Sequence, residues 1–337
     1  MPLDTSMNPD RRGRLRWRAA AHRVAFAAAR VLLDRRAPPR LSILLFHRVL
    51  PSPDPLFAND PDARQFAALM RALREQFTPI PLSEGLERLR RNALPRRAVC
   101  VTFDDGYADN LTVAAPILEA LEIPATVFIA SGYLNGGIMW NDRVSEALRR
   151  HPGDRLDVRE YGLGLHDLKD VGGRARLVDR LLQSLKYRPA DERERIACEL
   201  AARYAPDLTS PMLTTAQLRQ LHAQGIEIGG HTTTHPILAA TDERTAYAEI
   251  AGNKEALEGL LGERLRIFAY PNGKPGQDFL PIHAQMVQRV GYAAAVTTSP
   301  GVATGSSDPF RLPRYTPWER DPLRFAVRLL LNRRRMV

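Results

Sequence analysis

The chain is poor in cysteine and has no long apolar run. Cys100 and Cys198 are its two cysteines in 337 residues, too few for disulfides to organise the fold. No segment reaches the roughly 18 consecutive apolar residues of a membrane span. The best candidate is interrupted by His22, Arg23 and Arg30, and it lacks the clean apolar centre of a secretory signal. We therefore expect a cytoplasmic protein without a signal peptide or a transmembrane helix.

Acidic residues are outnumbered, with 38 Asp and Glu against 48 Lys and Arg, a net charge of +10. Nine arginines and a single acid, Asp34, fall between residues 11 and 36. Aromatic residues are few and no nucleic-acid-binding motif accompanies the charge, so we expect no nucleic-acid partner. Trp17, Val24 and Val31 recur at seven-residue spacing. This pattern fits a basic helix lying on the inner face of a membrane, and equally a helix packed on the domain.

Short apolar strands alternate with helical segments along most of the chain, which predicts a parallel α/β sheet or barrel. The first strand is predicted in SILLFHRVL, ending at His47, and the last in FRLPRY. Residues 135–211 are charged, helical in pattern and poor in β-formers, so we predict a mostly helical insertion there. The predicted organisation is a basic arm with a helix at 1–40, the α/β barrel at 41–320, and a basic C-terminal helix or tail at 321–337.

Two adjacent carboxylates, Asp104 and Asp105, follow a predicted buried strand in the sequence VTFDDGYADN. Like charges so close together repel each other unless a cation lies between them. An Asp-Gly turn that caps the next helix is the alternative interpretation, but such a turn needs only one Asp. With a metal ion present, one carboxylate could bind the ion while the other acts as a base.

Two histidines, His231 and His235, follow another predicted strand in GGHTTTHP. Two imidazoles and one carboxylate form a ligand set with open coordination positions, suited to Zn²⁺ or another divalent ion. Chance spacing is the alternative, since the chain has eight histidines. However, the Asp pair and the His pair both fall at the carboxyl ends of strands, which share one face in an α/β fold. The sequence therefore predicts a metal site at that face.

The motifs TFDDGY, HTTTHP and FAYPNG, in this order, resemble those of the polysaccharide deacetylase family, also called NodB-homology domains or family-four carbohydrate esterases. The resemblance covers roughly residues 97–298. It implies a distorted (β/α) barrel and metal-dependent hydrolysis of N-acetyl groups on amino sugars. By the same resemblance, Asp104 is the general base and Asp105, His231 and His235 are the metal ligands. The backbone near Tyr107 is then expected to help hold the oxyanion.

Two positions depart from the family pattern. The third motif usually has an Arg two residues before the Pro, and here that position is Ala269. No histidine follows His283, so the usual C-terminal catalytic His is absent as well. The chain resembles exopolysaccharide-associated relatives in which an N-terminal His takes over this role. We therefore predict His47 as the general acid, with a structural role as the alternative, and we consider Arg314 as a replacement for the missing Arg.

Three further residues are candidates for the substrate pocket. Trp140 could stack on a sugar ring, although ordinary packing explains it equally well. Pro271 and Asn272 are expected to shape the pocket wall.

The function predicted from these residues is removal of N-acetyl groups from a cell-envelope or exopolysaccharide glycan. The predicted cofactor is a divalent metal ion, with Zn²⁺ as the first candidate. One rival is an amide hydrolase that acts on a non-sugar substrate. Another is a catalytically silent carbohydrate-binding relative, suggested by Ala269 and the missing C-terminal His. Retention of both adjacent carboxylates argues against the silent relative, because a binding module would not need them.

Overall fold

A curled sheet of seven parallel strands is the centre of the computed structural model, which describes residues 39–333. The strand order along the sheet is β1-β3-β4-β7-β8-β9, and the two residues of β2 pair with the start of β3. The strands of this sheet are β1 Ser42–Phe46, β2 Thr78–Pro79, β3 Ala98–Phe103, β4 Ala125–Ile129, β7 Glu227–Gly230, β8 Ile267–Ala269 and β9 Ala294–Val296. This is the distorted (β/α) barrel that the sequence predicts.

The two edge strands of the sheet are joined by residues 312–315. Leu312 exchanges backbone hydrogen bonds with β9, and Tyr315 exchanges them with β1. These contacts are isolated bridges, so the prediction of a regular last strand in FRLPRY was wrong. Pro313 has no N–H to donate, which prevents a continuous ladder. The segment nevertheless connects both edges and closes the curl.

Ten α-helices surround the sheet within the described residues. Side-chain caps begin several of them; the helix after residue 214, for example, has a capping box between Thr214 and Gln217. The helices are α1 Ala63–Gln76, α2 Leu82–Arg90, α3 Ala115–Ala120, α4 Trp140–Arg150, α5 Val171–Lys186, α6 Ala190–Tyr204, α7 Thr215–Ala223, α8 Glu243–Leu261, α9 Pro281–Arg289 and α10 Pro322–Asn332.

The strands are buried on both faces, as expected for a parallel sheet covered by helices. Side chains that alternate along β3 belong to two separate apolar clusters, Val99 and Val101 to one and Ala98 and Cys100 to the other. This explains why the sequence reads as an uninterrupted apolar run at this point. Burial of both faces leaves the carboxyl edge of the strands as the place for polar residues.

The predicted insertion has a small core of its own. Helices α4, α5 and α6 pack together through buried residues such as Leu148, Leu181 and Leu200. The insertion also contains an antiparallel hairpin of β5 Arg155–Asp157 and β6 Leu165–Asp167, which the sequence analysis did not predict. Each of these strands is only three residues long, too short for an alternating pattern to be recognised.

The C-terminal helix α10 packs on the barrel. Phe325, Ala326, Leu329 and Leu330 are buried in the same cluster as the core side chains of α1. The apolar face of this helix is therefore part of the barrel core.

The predicted helix at 14–36 and the last four residues of the chain lie outside the described residues. Contact of the basic arm with a membrane and a cytoplasmic location both stay predictions. Within residues 39–333, no helix is long and apolar enough to cross a membrane.

Close packing between β4 and β7 requires Gly229. A Cβ at this position would lie 2.3 Å from Cδ1 of Phe128 and 2.9 Å from the carbonyl oxygen of Ile267. We expect Gly229→Ala to lower the free energy of unfolding by about 1–3 kcal/mol, because the core must be overpacked. The measurement is denaturant unfolding followed by circular dichroism. The matched control is Gly259→Ala in α8, where a Cβ meets open space and helix propensity should raise stability by up to about 1 kcal/mol. Equal stability of the two variants would contradict this packing.

Candidate active site

Polar residues follow β1, β3 and β7 at one edge of the sheet. His47 follows β1, Asp104 and Asp105 follow β3, and His231 follows β7. These strands are parallel, so their carboxyl ends lie on the same side of the sheet. The structure therefore brings together the residues that the sequence assigned to one site.

Asp105, His231 and His235 form a cluster in which one ligand atom from each residue lies within 4.8 Å of the others. Oδ1 of Asp105 is 3.4 Å from Nε2 of His231 and 3.4 Å from Nε2 of His235. Nδ1 of His231 donates a hydrogen bond of 2.7 Å to the carbonyl of Ala269. Because Nδ1 carries that proton, the neutral ring directs the lone pair of Nε2 toward Asp105.

The cluster fits a divalent metal ion. Oδ1 of Asp105 is buried and has no hydrogen-bond partner within residues 39–333, and a buried oxygen without a partner is costly. Burial alone would raise the pKa of Asp105, yet the close imidazole of His231 holds this pKa well below its usual range. Burial lowers the pKa of His235 to about 4. A charged carboxylate and a neutral imidazole are the forms that bind metal.

The backbone around the histidines is strained and is held by a helix. Thr232 and His235 have φ values of 62° and 56°, a left-handed conformation that costs about 1–3 kcal/mol for each such residue. Asn253 of α8 accepts a hydrogen bond from the His231 amide at 3.1 Å and donates one to the Thr232 carbonyl at 2.6 Å. The carboxylate of Glu249, also in α8, accepts hydrogen bonds from the next two backbone amides at 2.8 and 2.7 Å. These contacts stabilise the His loop.

Asn253 and Glu249 were missed by the sequence analysis. Asn253 is fully buried in the stripe of α8 that also contains Ile250 and Leu257. A polar residue within an otherwise apolar helical stripe is the signal that could have indicated it.

Asp104 makes a bidentate ion pair with Arg314. Their oxygen–nitrogen distances are 2.6 and 2.7 Å, and both side chains are almost fully buried. Arg314 also donates hydrogen bonds to the carbonyl of Thr297 and to the hydroxyl of Thr102. Burial alone would raise the pKa of Asp104, but the charges of Arg314 and His231 hold it below its usual value. The guanidinium thus keeps the Asp104 carboxylate ionised.

His47 lies beside the aspartates. Phe46 pairs with Phe103 in the β1–β3 register, so the next residue along each strand, His47 and Asp104, stands at the same level of the edge. The His47 ring is exposed to solvent, and its charge is among those that lower the pKa of Asp105. This position is open to a substrate.

Tyr107 contacts two charged side chains, those of Asp142 and Arg48. Its hydroxyl donates to Asp142, with oxygen–oxygen distances of 3.1 and 3.3 Å, and the Arg48 guanidinium lies 4.6 Å from its ring centroid. Arg48 is also paired with Asp109 at 2.8 Å. Burial raises the pKa of Asp142 to about 7. Arg48 and Asp109 were not identified from the sequence, although each lies within a few residues of a motif that was.

Trp140, Pro271 and Asn272 take different positions. The Trp140 ring packs against the core of the insertion, with the Arg193 guanidinium 5.1 Å from its centroid. This contact favours the packing alternative over a free sugar platform. Pro271 and Asn272 form the turn after β8, next to the carbonyl of Ala269 that receives the His231 hydrogen bond. They lie at the same edge as the cluster.

A two-histidine, one-carboxylate cluster lies at the mouth of a curled parallel sheet, with a separate ionised carboxylate beside it. Such an arrangement is typical of metal-dependent hydrolases. The family model for polysaccharide deacetylases matches residues 91–294. The chain belongs to the polysaccharide deacetylase family and is a hydrolase of carbon–nitrogen bonds other than peptide bonds.

Several relatives resemble the chain. YxkH of Bacillus subtilis is 21% identical over 279 residues, which cover 82% of this chain and 71% of that protein. The poly-β-1,6-N-acetyl-D-glucosamine N-deacetylase of Escherichia coli is 34% identical over 127 residues, 35% of this chain and only 18% of the enzyme. The structure of IcaB from Ammonifex degensii is 20% identical, with a TM-score of 0.55, over 85% of this chain and 97% of that one. The fold of the chain is thus that of this family.

Single substitutions should show that metal binding depends on Asp105 and His235 and does not depend on the neighbouring carboxylate of Asp104. We expect Asp105→Asn and His235→Ala to lose stoichiometric metal, because a site with three protein ligands has little redundancy. Asp104→Asn should keep the metal, since Asp104 pairs with Arg314 instead. The measurement is elemental analysis after dialysis against Zn²⁺. His222→Ala, which removes an imidazole paired with Glu263 at 2.8 Å, is the control. Equal metal content in Asp104→Asn and Asp105→Asn would refute this division.

Proposed function

We propose that the chain removes N-acetyl groups from amino sugars of a cell-envelope or exopolysaccharide glycan, with a divalent metal ion, most suitably Zn²⁺, as cofactor. The observation that carries this proposal is the pair of adjacent carboxylates with different partners. Asp105 lies with His231 and His235, whereas Asp104 is held by Arg314. Amide hydrolysis needs both a ligand set and a separate base, and this arrangement supplies them.

A divalent ion held by Asp105, His231 and His235 would supply Lewis acidity toward water and toward an acetyl carbonyl. Asp104 accepts the proton of the attacking water. Its Oδ2 is 4.0 Å from Nε2 of His231, so the base lies next to the ligands. Arg314 keeps the carboxylate ionised and fixes its orientation, and it thereby takes the role left vacant at Ala269.

Two other groups stabilise the oxyanion of the tetrahedral intermediate and protonate the leaving amine. The Tyr107 amide follows the left-handed Asp105 and Gly106, two residues beyond the proposed ligand Asp105, and we assign it as the backbone N–H that donates to the developing oxyanion. His47 donates a proton to the departing amine, because a neutral amine leaves far more readily than an amide anion. Its exposure at the edge gives it access to the leaving group.

Membership in the family supports the proposed substrate class, and the printed substrate of one relative suggests a first glycan. The E. coli enzyme named for poly-β-1,6-N-acetyl-D-glucosamine shares 34% identity over the aligned segment. Because that segment is under a fifth of the enzyme's length, its substrate enters here only as the first glycan to test. The rival functions are amide hydrolysis on a non-sugar compound and silent carbohydrate binding.

Acetate release tests the proposed function. The Zn²⁺-loaded chain should release acetate from a β-1,6-linked N-acetylglucosamine oligomer or from chitooligosaccharides. Asp104→Asn should reduce this rate by about 10²–10⁴-fold, the usual contribution of a general base. The control is Asp191→Asn, which changes an exposed carboxylate on α6. Hydrolysis of N-acetylated amino acids without any glycan turnover would favour the non-sugar rival. Metal binding without turnover of either substrate would favour the silent relative.

The role of His47 is tested by a change of leaving group. We expect His47→Ala to keep its metal and lose about 10²–10⁴-fold in turnover of N-acetyl sugars. Turnover of an activated aryl acetate ester should fall much less, because its leaving group departs without a proton. The measurement compares kcat on both substrates at saturating Zn²⁺. Equal losses on both would indicate a structural role for His47.

A further inference from the structure

The insertion holds the Asp-pair loop, residues 104–108, from two sides. Where the insertion ends, the chain pairs with this loop in antiparallel fashion. The Ala108 amide donates to the Pro211 carbonyl at 2.8 Å, and the Leu213 amide donates to the Gly106 carbonyl at 3.0 Å. These two hydrogen bonds fix the backbone of the loop from one side.

Asp142 holds the loop from the other side, through the side chain of Tyr107. It lies in the first turn of α4, and its two carboxylate oxygens are 3.1 and 3.3 Å from the Tyr107 hydroxyl. Asn141 donates a further hydrogen bond to that hydroxyl at 3.3 Å. The Tyr107 ring is buried against Met139 and Met212. Only 4% of Asp142 is exposed, so its carboxylate serves the loop and does not meet a substrate.

The loop needs such contacts because its backbone is strained. Asp105 and Gly106 have φ values of 77° and 89°, and a residue other than glycine keeps a left-handed conformation only where its surroundings hold it. The Ala130 amide donates to the Asp105 carbonyl at 3.3 Å, which holds the start of the turn. The peptide group between Gly106 and Tyr107 lies between this turn and the anchored Tyr107 side chain. The direction of the Tyr107 N–H therefore depends on both.

We propose that Asp142 is a positioning residue, which holds the loop through the Tyr107 hydroxyl so that the Tyr107 amide points at the developing oxyanion. This inference rests on the proposed function. A hydrogen-bond donor stabilises an oxyanion best when it is already aimed at the place where the charge develops, and a small misplacement lowers the rate strongly.

The charge of Asp142 is not what the role requires. Burial raises the pKa of Asp142 to about 7, so part of this group is uncharged near neutral pH. The side-chain carbonyl of an Asn can accept the same hydrogen bond from the Tyr107 hydroxyl. The inference therefore predicts that Asn can replace Asp142 and that Ala cannot.

Kinetics on two substrates test the inference. In the full-length, Zn²⁺-loaded chain, Tyr107→Phe removes only the hydroxyl. We expect it to lower kcat about 10–100-fold with KM nearly unchanged, both on an N-acetylglucosamine oligomer and on an activated aryl acetate ester. Both reactions pass through an oxyanion, whereas the loss expected in His47→Ala depends on the leaving group. The control is Tyr187→Phe, which removes a hydroxyl that donates to Asp278 at 3.1 Å; it should behave as wild type.

Substitution of Asp142 completes the kinetic test. Asp142→Ala should lower kcat as much as Tyr107→Phe does, and Asp142→Asn should recover most of the activity. Because both residues act through one hydrogen bond, Asp142→Ala combined with Tyr107→Phe should lose no more than either change alone. Losses that multiply in the double variant, or that fall on KM, would overturn the inference. If Asp142→Ala does not fold, Tyr107→Phe and Asp142→Asn carry the test.

Amide hydrogen exchange, followed by mass spectrometry, separates this inference from the proposed function. Exchange in peptides that contain residues 105–108 should rise in Tyr107→Phe and Asp142→Ala, and stay as in wild type in Asp142→Asn and Tyr187→Phe. If wild type hydrolyses no substrate but this difference remains, the proposed function fails and the hold of Asp142 on the loop stands. Unchanged exchange in Tyr107→Phe, or a wild-type kcat in that variant, would overturn the inference alone.

Discussion

The buried ion pair between Asp104 and Arg314 connects the loop after β3 to the segment that closes the barrel. Both charges are removed from water, which costs several kcal/mol for each ion unless the partner geometry is good. Here two short hydrogen bonds join the carboxylate and the guanidinium, and Arg314 uses its remaining donors on Thr297 and Thr102. Because Arg314 comes from the segment that closes the barrel, the position of the proposed base depends on that closure. The closing segment is thus part of the site as well as of the fold.

The cluster of Asp105, His231 and His235 depends on a second set of contacts. Its loop contains left-handed residues that are not glycine, and such a backbone persists only where its surroundings hold it. Asn253 and Glu249 on α8 do so through hydrogen bonds to consecutive peptide groups. One helix therefore fixes the imidazoles, while a distant strand-like segment fixes the base. The two carboxylates are neighbours in sequence, but they are positioned by different parts of the fold.

The insertion contacts the loop that contains the Asp pair. Asp142 of the insertion accepts a hydrogen bond from the hydroxyl of Tyr107, which lies two residues after Asp105. The insertion lies outside the cluster of Asp105, His231 and His235, so it can differ between relatives without changing those three residues. Segments of this kind are where binding surfaces commonly vary between relatives.

The alternation of elements, the buried strands and the clustering of Asp105, His231 and His235 could all be predicted from the sequence. Apolar periodicity and strand-end residues are local features, and parallel strands bring their carboxyl ends to one edge. The tertiary structure alone showed that Arg314 reaches Asp104, that Asn253 holds the His loop, that Trp140 is packed under Arg193, and that FRLPRY forms bridges instead of a strand. These facts depend on contacts between residues that are far apart in the chain. Arg314 and Asp104 are separated by 210 positions. The sequence analysis could only consider Arg314 as a replacement for the missing Arg, because no local pattern encodes which carboxylate a guanidinium will meet. Pairing across such a distance is decided by how the strands curl and close.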